Sequence, residues 1–205
     1  MREYAVMVRD HCLFVCLDDK HRLKVGEPGY PVASAECGRR VIVKKGTVFE
    51  VGDHDFTKYS LIPSVAFFVD VATCATDSWY DGHVHVPLKE AAFEPFSAIR
   101  HASKLSKIIR SKHTIVPPVL FLYTYGGPDH NLTHMAVQLS VVALFLYLDL
   151  NFIRGSQTCP YQLWRNPVEQ IMSILNLVLQ YIGLMREKMN ENFESSPQDA
   201  THWLT

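Results

Sequence analysis

The sequence contains few cysteines, no large excess of either charge and no internal repeat. Its five cysteines show neither the paired spacing of a zinc ligand set nor the density of a disulfide framework, so we expect a reducing compartment and mostly buried thiols. Lys and Arg total 20 and Asp and Glu total 21, which argues against a histone-like protein that coats polyanions. Because no basic segment followed by an apolar segment opens the chain, we expect an intracellular protein, nuclear or cytoplasmic, that is not secreted.

The chain also has no uninterrupted apolar segment typical of a membrane span. Residues 135–153 come nearest to one, but Gln138 and Asp149 interrupt them. A transmembrane helix needs about 20 mostly apolar residues, so we expect a buried helix followed by a buried strand, and no membrane partner. Hydrophobic residues make up 48% of the chain and charged residues 20%, which is enough apolar material for a full core.

Apolar segments and turn-forming segments alternate in an order typical of an α/β protein. The first half indicates strands joined by short loops, and the second half alternates buried strands with helices, as parallel strands with crossover helices do. The pattern therefore predicts helices packed on a central sheet. The predicted strands are residues 4–17, 39–45, 65–71, 82–88, 119–124 and 150–153, and the predicted helices are residues 97–110, 132–148 and 166–191.

Acidic residues follow two of the predicted strands and open the last helix. Asp18 and Asp19 end the first strand, and the loop 125–130, with the sequence Tyr-Gly-Gly-Pro-Asp-His, ends the strand at 119–124. Glu169 lies in the first turn of a helix that Asn166 and a proline open, which is the favoured place for proline. A carboxylate is favourable in a first helical turn without any ligand, so Glu169 alone predicts no site.

Taken together, these motifs resemble the DDE catalytic domain of mariner-type transposases, which is also found in transposase-like domains of predicted invertebrate proteins. In that pattern an Asp ends a strand, a second Asp opens an Asp-Asn-x-Pro-x-His loop, and an acid follows Asn-Pro at a helix start. Asp18 matches the first position, and residues 166–173 match the third motif with Glu169 as the acid. Residues 125–130 match the second motif in its Pro and His, but Tyr125 stands where the Asp is expected.

The resemblance spans about residues 4–189 and implies an RNase H-like fold. In that fold a mixed five-stranded sheet is flanked by helices. The implied domain covers residues 1–192, with an insert at about 72–116 before the fourth strand, and residues 193–205 form a loose tail.

The resemblance also implies a metal-dependent reaction on DNA. Phosphodiester cleavage and strand transfer use two divalent cations about 4 Å apart, and Mg²⁺ or Mn²⁺ with carboxylate ligands suits this chemistry. Asp18 and Glu169 are the implied metal ligands and catalytic residues. Because a phenol is neutral at pH 7, Tyr125 brings no charge, and we expect a catalytically inactive, transposase-derived domain that retains nucleic-acid or protein binding.

Two alternatives remain open. Asp129, beyond two glycines, can substitute for the missing Asp, which would give an active Mg²⁺-dependent nuclease or strand transferase that uses Asp18, Asp129 and Glu169. The competing interpretation of Asp129 is a cap for the helix that begins near Leu132. The other alternative is a structural domain that forms a homodimer through an exposed apolar face.

Basic residues concentrate on the helix predicted at residues 97–110. They can contact phosphates, or they can form the solvated side of an amphipathic helix. No helix-turn-helix or zinc-finger pattern accompanies them, so we expect DNA binding to be weak. His83 and His85 alternate on a strand, but no third zinc ligand has a suitable spacing. The candidate nucleic-acid-binding residues are Arg100, Lys104, Lys107, Arg110 and Lys112.

Overall fold

The chain divides into two compact units. The first comprises Met1–Arg22 with Ile62–Leu175, and the second Leu23–Leu61 with Asn176–Thr205. Asp129 and the predicted tail lie outside the described residues. The structure, a computed structural model, describes residues 1–19, 22–26, 32–33, 45–46, 60–90, 97–127, 130–159, 162, 166–179 and 182–188.

Helices and strands alternate along the described part of the chain. The helices are α1 (Arg2–Met7), α2 (Ala98–Lys112), α3 (Met135–Leu148) and α4 (Val168–Leu179), with a short 3₁₀ turn at Arg9–His11. The strands are β1 (Cys12–Asp19), β2 (Leu23–Lys24), β3 (Val32–Ala33), β4 (Ser60–Val69), β5 (Gly82–His85), β6 (Leu88–Glu90), β7 (Val119–Thr124), β8 (Phe152–Gln157) and β9 (Gly183–Leu184).

Strand β1 lies at the centre of the sheet of the first unit. It pairs with β4 in antiparallel and with β7 in parallel orientation, and β7 pairs in parallel with β8. The short strands β5 and β6 both pair with β4. The predicted α/β class, with a mixed sheet flanked by helices, is confirmed. The region predicted as an insert, residues 72–116, contains β5, β6 and α2.

Successive side chains of β1 point to opposite faces of the sheet, so the core of the first unit has two layers. Phe14 and Cys16 pack on the side where α4 contributes Val168 and Met172. Val15 packs on the other side, against apolar residues of α2 and α3. Because successive strand residues face opposite sides of a sheet, Asp18 continues the first layer and Asp19 the second. The two adjacent carboxylates therefore meet different surroundings.

The second unit is built from short pairings. Strand β2 pairs with the start of β4, where Leu23 is opposite Leu61. Strand β3 pairs with β9, and Gly26 forms a parallel bridge with Met185. Each pairing joins residues that are far apart in the sequence.

The sheet has seven strands rather than the predicted five, and β8 is only partly buried. Three further details differ from the sequence predictions. The strand predicted at 4–17 is wrong in its first half. Residues before Cys12 form α1, which packs Ala5 into the core, and then a 3₁₀ turn. Helix α4 ends at Leu179, well before residue 191. Cys12 and Cys16 are buried, as expected, but Cys74 and Cys159 are exposed.

Helix α3 is buried on one side only. Its buried residues include Val137 and Leu144, whereas Leu139 and Leu146 are 61% and 69% exposed. Within the described part of the chain, no helix combines the length and the apolar composition that crossing a membrane requires.

Gly82, the first residue of β5, lies where β5 approaches β4 closely, and a substitution there tests this packing. Its φ of +147° is unfavourable for other residues, and a Cβ there would overlap the carbonyl oxygen of Phe68. We therefore expect Gly82→Ala to lower the free energy of unfolding by about 2 kcal/mol, measured by urea denaturation. Gly127→Ala is the control, because a Cβ there meets only the edge of Tyr125 at 3.8 Å. Equal stability of the two variants would contradict this packing.

Candidate functional site

The last two residues of β1 place carboxylates on opposite faces of the sheet. Asp18 is 9% exposed, and its Oδ1 accepts a hydrogen bond from the backbone N–H of Asp19 at 2.8 Å. Buried carboxylates are costly unless they are paired or protonated. Each of the two must therefore be compensated by its own surroundings.

The environment of Asp18 favours the protonated form. Burial raises the pKa of Asp18 to about 7, against the lowering effect of the Asp19 N–H, and the negative charges of Glu169 and Asp19 add to the rise. Glu169 itself has a raised pKa because it is partly buried. The two predicted metal ligands, Asp18 and Glu169, therefore lie near enough for the charge of Glu169 to act on Asp18.

Glu169 is held in place by the start of α4. Asn166 is fully buried, and its side-chain oxygen accepts a hydrogen bond from the Val168 N–H at 3.3 Å. Its carbonyl oxygen also accepts the Glu169 N–H at 3.0 Å. An Asn that caps a helix start in this way fixes the direction of the first turn. Glu169 therefore lies on a rigid element.

Tyr125 is the residue that follows β7. The parallel register pairs Leu17 of β1 with Thr124 of β7, so that Asp18 and Tyr125 are the next residues on two neighbouring strands. Tyr125 is 39% exposed, and Gly126 after it has a φ of +90°. The substituted position of the motif therefore lies at the same sheet edge as Asp18.

Asp19 lies in a cluster of cationic and imidazole groups. Lys89 Nζ donates to both of its carboxylate oxygens, at 3.2 Å each. Nε2 of His101 lies 3.2 Å and Nε2 of His130 lies 3.9 Å from Oδ2 of Asp19. The two imidazole rings are 4.2 Å apart between centroids, at 64° to each other. The four side chains, here called the Asp19 cluster, come from β1, β6, α2 and the loop before α3.

The surroundings of Asp19 favour its ionised form, whereas those of Asp18 favour the protonated form. Burial alone would raise the pKa of Asp19, but His101, Lys89, a Ser64 hydrogen bond and His130 together lower it below the usual range. Burial is also the main cause that lowers the pKa of His101 to about 3; His130 adds to this fall, and Asp19 opposes it. His101 is therefore neutral at pH 7, and the Lys89 ammonium is the positive charge that compensates Asp19.

The sequence did not predict the Asp19 cluster. The sequence shows Asp19 only beside Asp18 at a strand end, and His130 only in the loop motif. A single Lys in a short strand and a single His in a basic helix are common, so Lys89 and His101 indicate no site. Residues from four separated elements leave no local pattern, and the only signal was the adjacent Asp18-Asp19 pair.

The five basic residues predicted to bind nucleic acid all lie on α2. Arg100, Lys107, Arg110 and Lys112 are exposed, and Lys104 is half-buried. Arg110 donates to the Tyr147 carbonyl at 2.7 Å and lies 4.5 Å from the centre of that ring. The Lys112 ammonium lies 5.2 Å from the Phe68 ring. At least these two cations are therefore engaged with neighbouring elements.

Comparison with known proteins adds nothing to this geometry. No protein-family model, no curated protein and no solved structure matches the chain. Its function has to be argued from the residues at the end of β1.

The raised pKa of Asp18 predicts a pH dependence of stability. Since the pKa is about 7 in the folded chain and about 3.9 in an unfolded chain, the folded state binds more protons between these values. Stability therefore falls as the pH rises from 4 to 7 and then levels off. We expect Asp18→Asn to raise the free energy of unfolding by about 2 kcal/mol at pH 8, and by much less at pH 4.

Urea denaturation at both pH values measures this difference. Asn keeps a side-chain oxygen that can accept the Asp19 N–H. The control is Asp10→Asn, because the side chain of Asp10 is 81% exposed, and this variant should match the wild type at both pH values. An Asp18→Asn effect of equal size at pH 4 and pH 8 would show that the carboxyl does not titrate as described.

Proposed function

We propose that the chain is an RNase H-like domain of transposase descent whose metal-dependent phosphodiester site is incomplete. One observation carries this proposal: Asp18 continues the face of the sheet that α4, the helix of Glu169, covers, the charge of Glu169 raises the pKa of Asp18, and Tyr125 directly follows the strand β7 that pairs with β1. In the DDE pattern the middle carboxylate faces the first one across neighbouring strands. Supporting evidence for the fold is the mixed sheet, with β4 antiparallel and β7 and β8 parallel, and with helices after β7 and β8.

The described residues do not fit a pair of divalent cations. Two cations bring four positive charges, and the scissile phosphate offsets only part of them. Asp18 and Glu169 offer two negative charges when both are ionised, whereas Tyr125 offers a neutral phenol. The phenol is also longer than an Asp side chain. A site of this composition does not support two-metal cleavage, so we infer that the domain is catalytically inactive.

We propose weak binding of DNA or of a protein partner as the remaining activity. The exposed cations of α2 support it, because Arg100 and Lys107 are three to four residues from Lys104 and follow one side of the helix. Phosphate contacts from such a row are independent of sequence and weaken with salt. A DNA partner would place the protein in the nucleus.

Metal titration of position 125 tests the incomplete site. We expect calorimetry with Mn²⁺ to show no tight binding to the wild type, because one carboxylate is missing. Tyr125→Asp restores the charge and should bind Mn²⁺ at least about 10-fold more tightly. Tyr125→Phe is the matched control, since it changes the same side chain without adding charge, and it should behave as the wild type. Adding Glu169→Gln to Tyr125→Asp should remove the gain.

The same Mn²⁺ titration distinguishes the proposed inactive domain from the alternative of an active nuclease. Two Mn²⁺ ions bound by the wild type and lost in Asp129→Asn would favour a nuclease that uses Asp18, Asp129 and Glu169. Mn²⁺-dependent DNA nicking by the wild type, absent in Glu169→Gln, would overturn the proposal of an inactive domain.

A second candidate function, a homodimerising interaction domain, has support from α3. Met135, Leu139, Val142 and Leu146 are all more than half exposed, and their spacing of four, three and four residues forms one stripe. The helix contains no charged residue, so two copies of the stripe can face each other without buried charge. The same spacing is the apolar seam of helix pairs in coiled coils.

Sedimentation at several protein concentrations tests the dimer. We expect the wild type to associate as its concentration rises, and Leu139→Glu with Leu146→Glu to remain a monomer, because two buried charges would face each other. Glu substitutions at two exposed positions of α2, Ile99 and Lys107, provide the control. A wild type that stays monomeric throughout the range would contradict this function.

A further inference from the structure

The Asp19 cluster has the donor atoms of a transition-metal site. It lies on the opposite face of the sheet from Asp18 and contains none of the three residues Asp18, Glu169 and Tyr125. One oxygen of Asp19 and one nitrogen each of His101 and His130 all lie within 4.8 Å of one another. Imidazole and carboxylate ligands suit Zn²⁺, whereas Mg²⁺ prefers oxygen alone. The donor set therefore differs in kind from Asp18 and Glu169.

The two distances from the Asp19 carboxylate to the imidazole nitrogens are close to those of a tetrahedral site. Zinc–nitrogen bonds of about 2.0–2.1 Å place tetrahedral ligand atoms about 3.3 Å apart. The distances from Asp19 Oδ2 are 3.2 Å to His101 Nε2 and 3.9 Å to His130 Nε2. A contraction of less than 1 Å on the His130 side brings both close to the tetrahedral value.

The ligands are buried and held by their own elements. The side chains of Asp19, His101 and His130 are 15%, 9% and 10% exposed. His101 lies in the first turn of α2, where its N–H donates to the Ser97 carbonyl at 3.3 Å. The His130 carbonyl accepts the Thr124 hydroxyl at 3.2 Å. A set positioned in this way loses little side-chain freedom when it binds an ion.

Lys89 marks the place of positive charge in the cluster. Its ammonium lies 3.2 Å from both oxygens of Asp19 and 3.1 Å from His101 Nε2. The ammonium and a metal ion therefore compete for the same donor atoms. A cavity of about 40 Å³, lined by both His101 and His130, adjoins the cluster. It has room for one water molecule. Because most of its other lining side chains are apolar, a fourth ligand water there would have to be held by the ion itself.

We propose that Asp19, His101 and His130 bind one transition-metal dication of the Zn²⁺ type, which takes the place of the Lys89 ammonium. The ion is held by one carboxylate oxygen and two imidazole nitrogens. Lys89 leaves the cluster when the ion enters, so its positive charge sets the affinity.

Calorimetric titration with Zn²⁺ tests this site in the whole chain. We expect the wild type to bind one ion, and both His101→Ala and His130→Ala to weaken binding at least about 100-fold. Lys89→Met removes the competing charge at nearly equal length and should tighten binding about 10-fold. His83→Ala is the matched control, because His83 is an exposed histidine on β5 and should leave binding unchanged.

Co²⁺ provides a measurement that needs no variant. Tetrahedral Co²⁺ absorbs visible light strongly and octahedral Co²⁺ weakly, so we expect an intense visible band that Zn²⁺ abolishes by competition. A wild type that binds no Zn²⁺ overturns the proposal, whatever Lys89→Met does, since the cluster is then a structural ion-pair network. Binding that survives both His101→Ala and His130→Ala, with circular dichroism confirming the fold, also overturns it.

Discussion

A β-strand turns successive side chains to opposite faces of its sheet, and at the end of β1 this constraint acts on two adjacent carboxylates. Asp18 joins the layer that α4 covers, and Asp19 joins the layer that α2 and α3 cover. Moving either carboxylate to the other face would require a shift in the register of β1 against β4 and β7. Such a shift would also move every apolar side chain of β1 to the opposite face of the sheet. The rest of the polar architecture follows from this division.

The two faces compensate their buried carboxylates in different ways. On one face the Lys89 ammonium pairs with Asp19 and keeps it ionised. On the other face burial and the charge of Glu169 raise the pKa of Asp18 to about 7, so that a proton supplies much of the compensation near neutral pH. A cation would do the same. The Asp18 face therefore has an electrostatic character that favours a cation, although Tyr125 adds no charge to it.

The sequence predicted well those strands and helices whose ends are marked by neighbouring residues such as proline and glycine. Residues 119–124 form a continuous apolar run between prolines and glycines, and β7 has these bounds. The sequence did not predict the N-terminal helix, because residues 4–8 and 12–17 are both apolar and a short apolar run does not distinguish a helix from a strand. The end of α4 was missed because apolar residues continue beyond Leu179.

The residues of the candidate sites likewise differ in whether neighbouring residues in the sequence predict them. The Asn166 motif fixes a helix start, so Glu169 could be predicted from a few neighbouring residues. Its proximity to Asp18 depends on the strand order and could only be inferred from a resemblance. The Asp19 cluster joins Lys89 and His101 to a residue about 70 positions earlier, and packing alone brings them together.

In our proposal, position 125 decides whether the Asp18 face can hold a pair of metal ions. Diffraction from Mn²⁺-soaked crystals, recorded with the anomalous signal of manganese, locates such ions. We expect no pair of manganese peaks beside Asp18 and Glu169 in the wild type, and a pair of peaks there in Tyr125→Asp. Two manganese ions beside Asp18 and Glu169 in the wild type would contradict it.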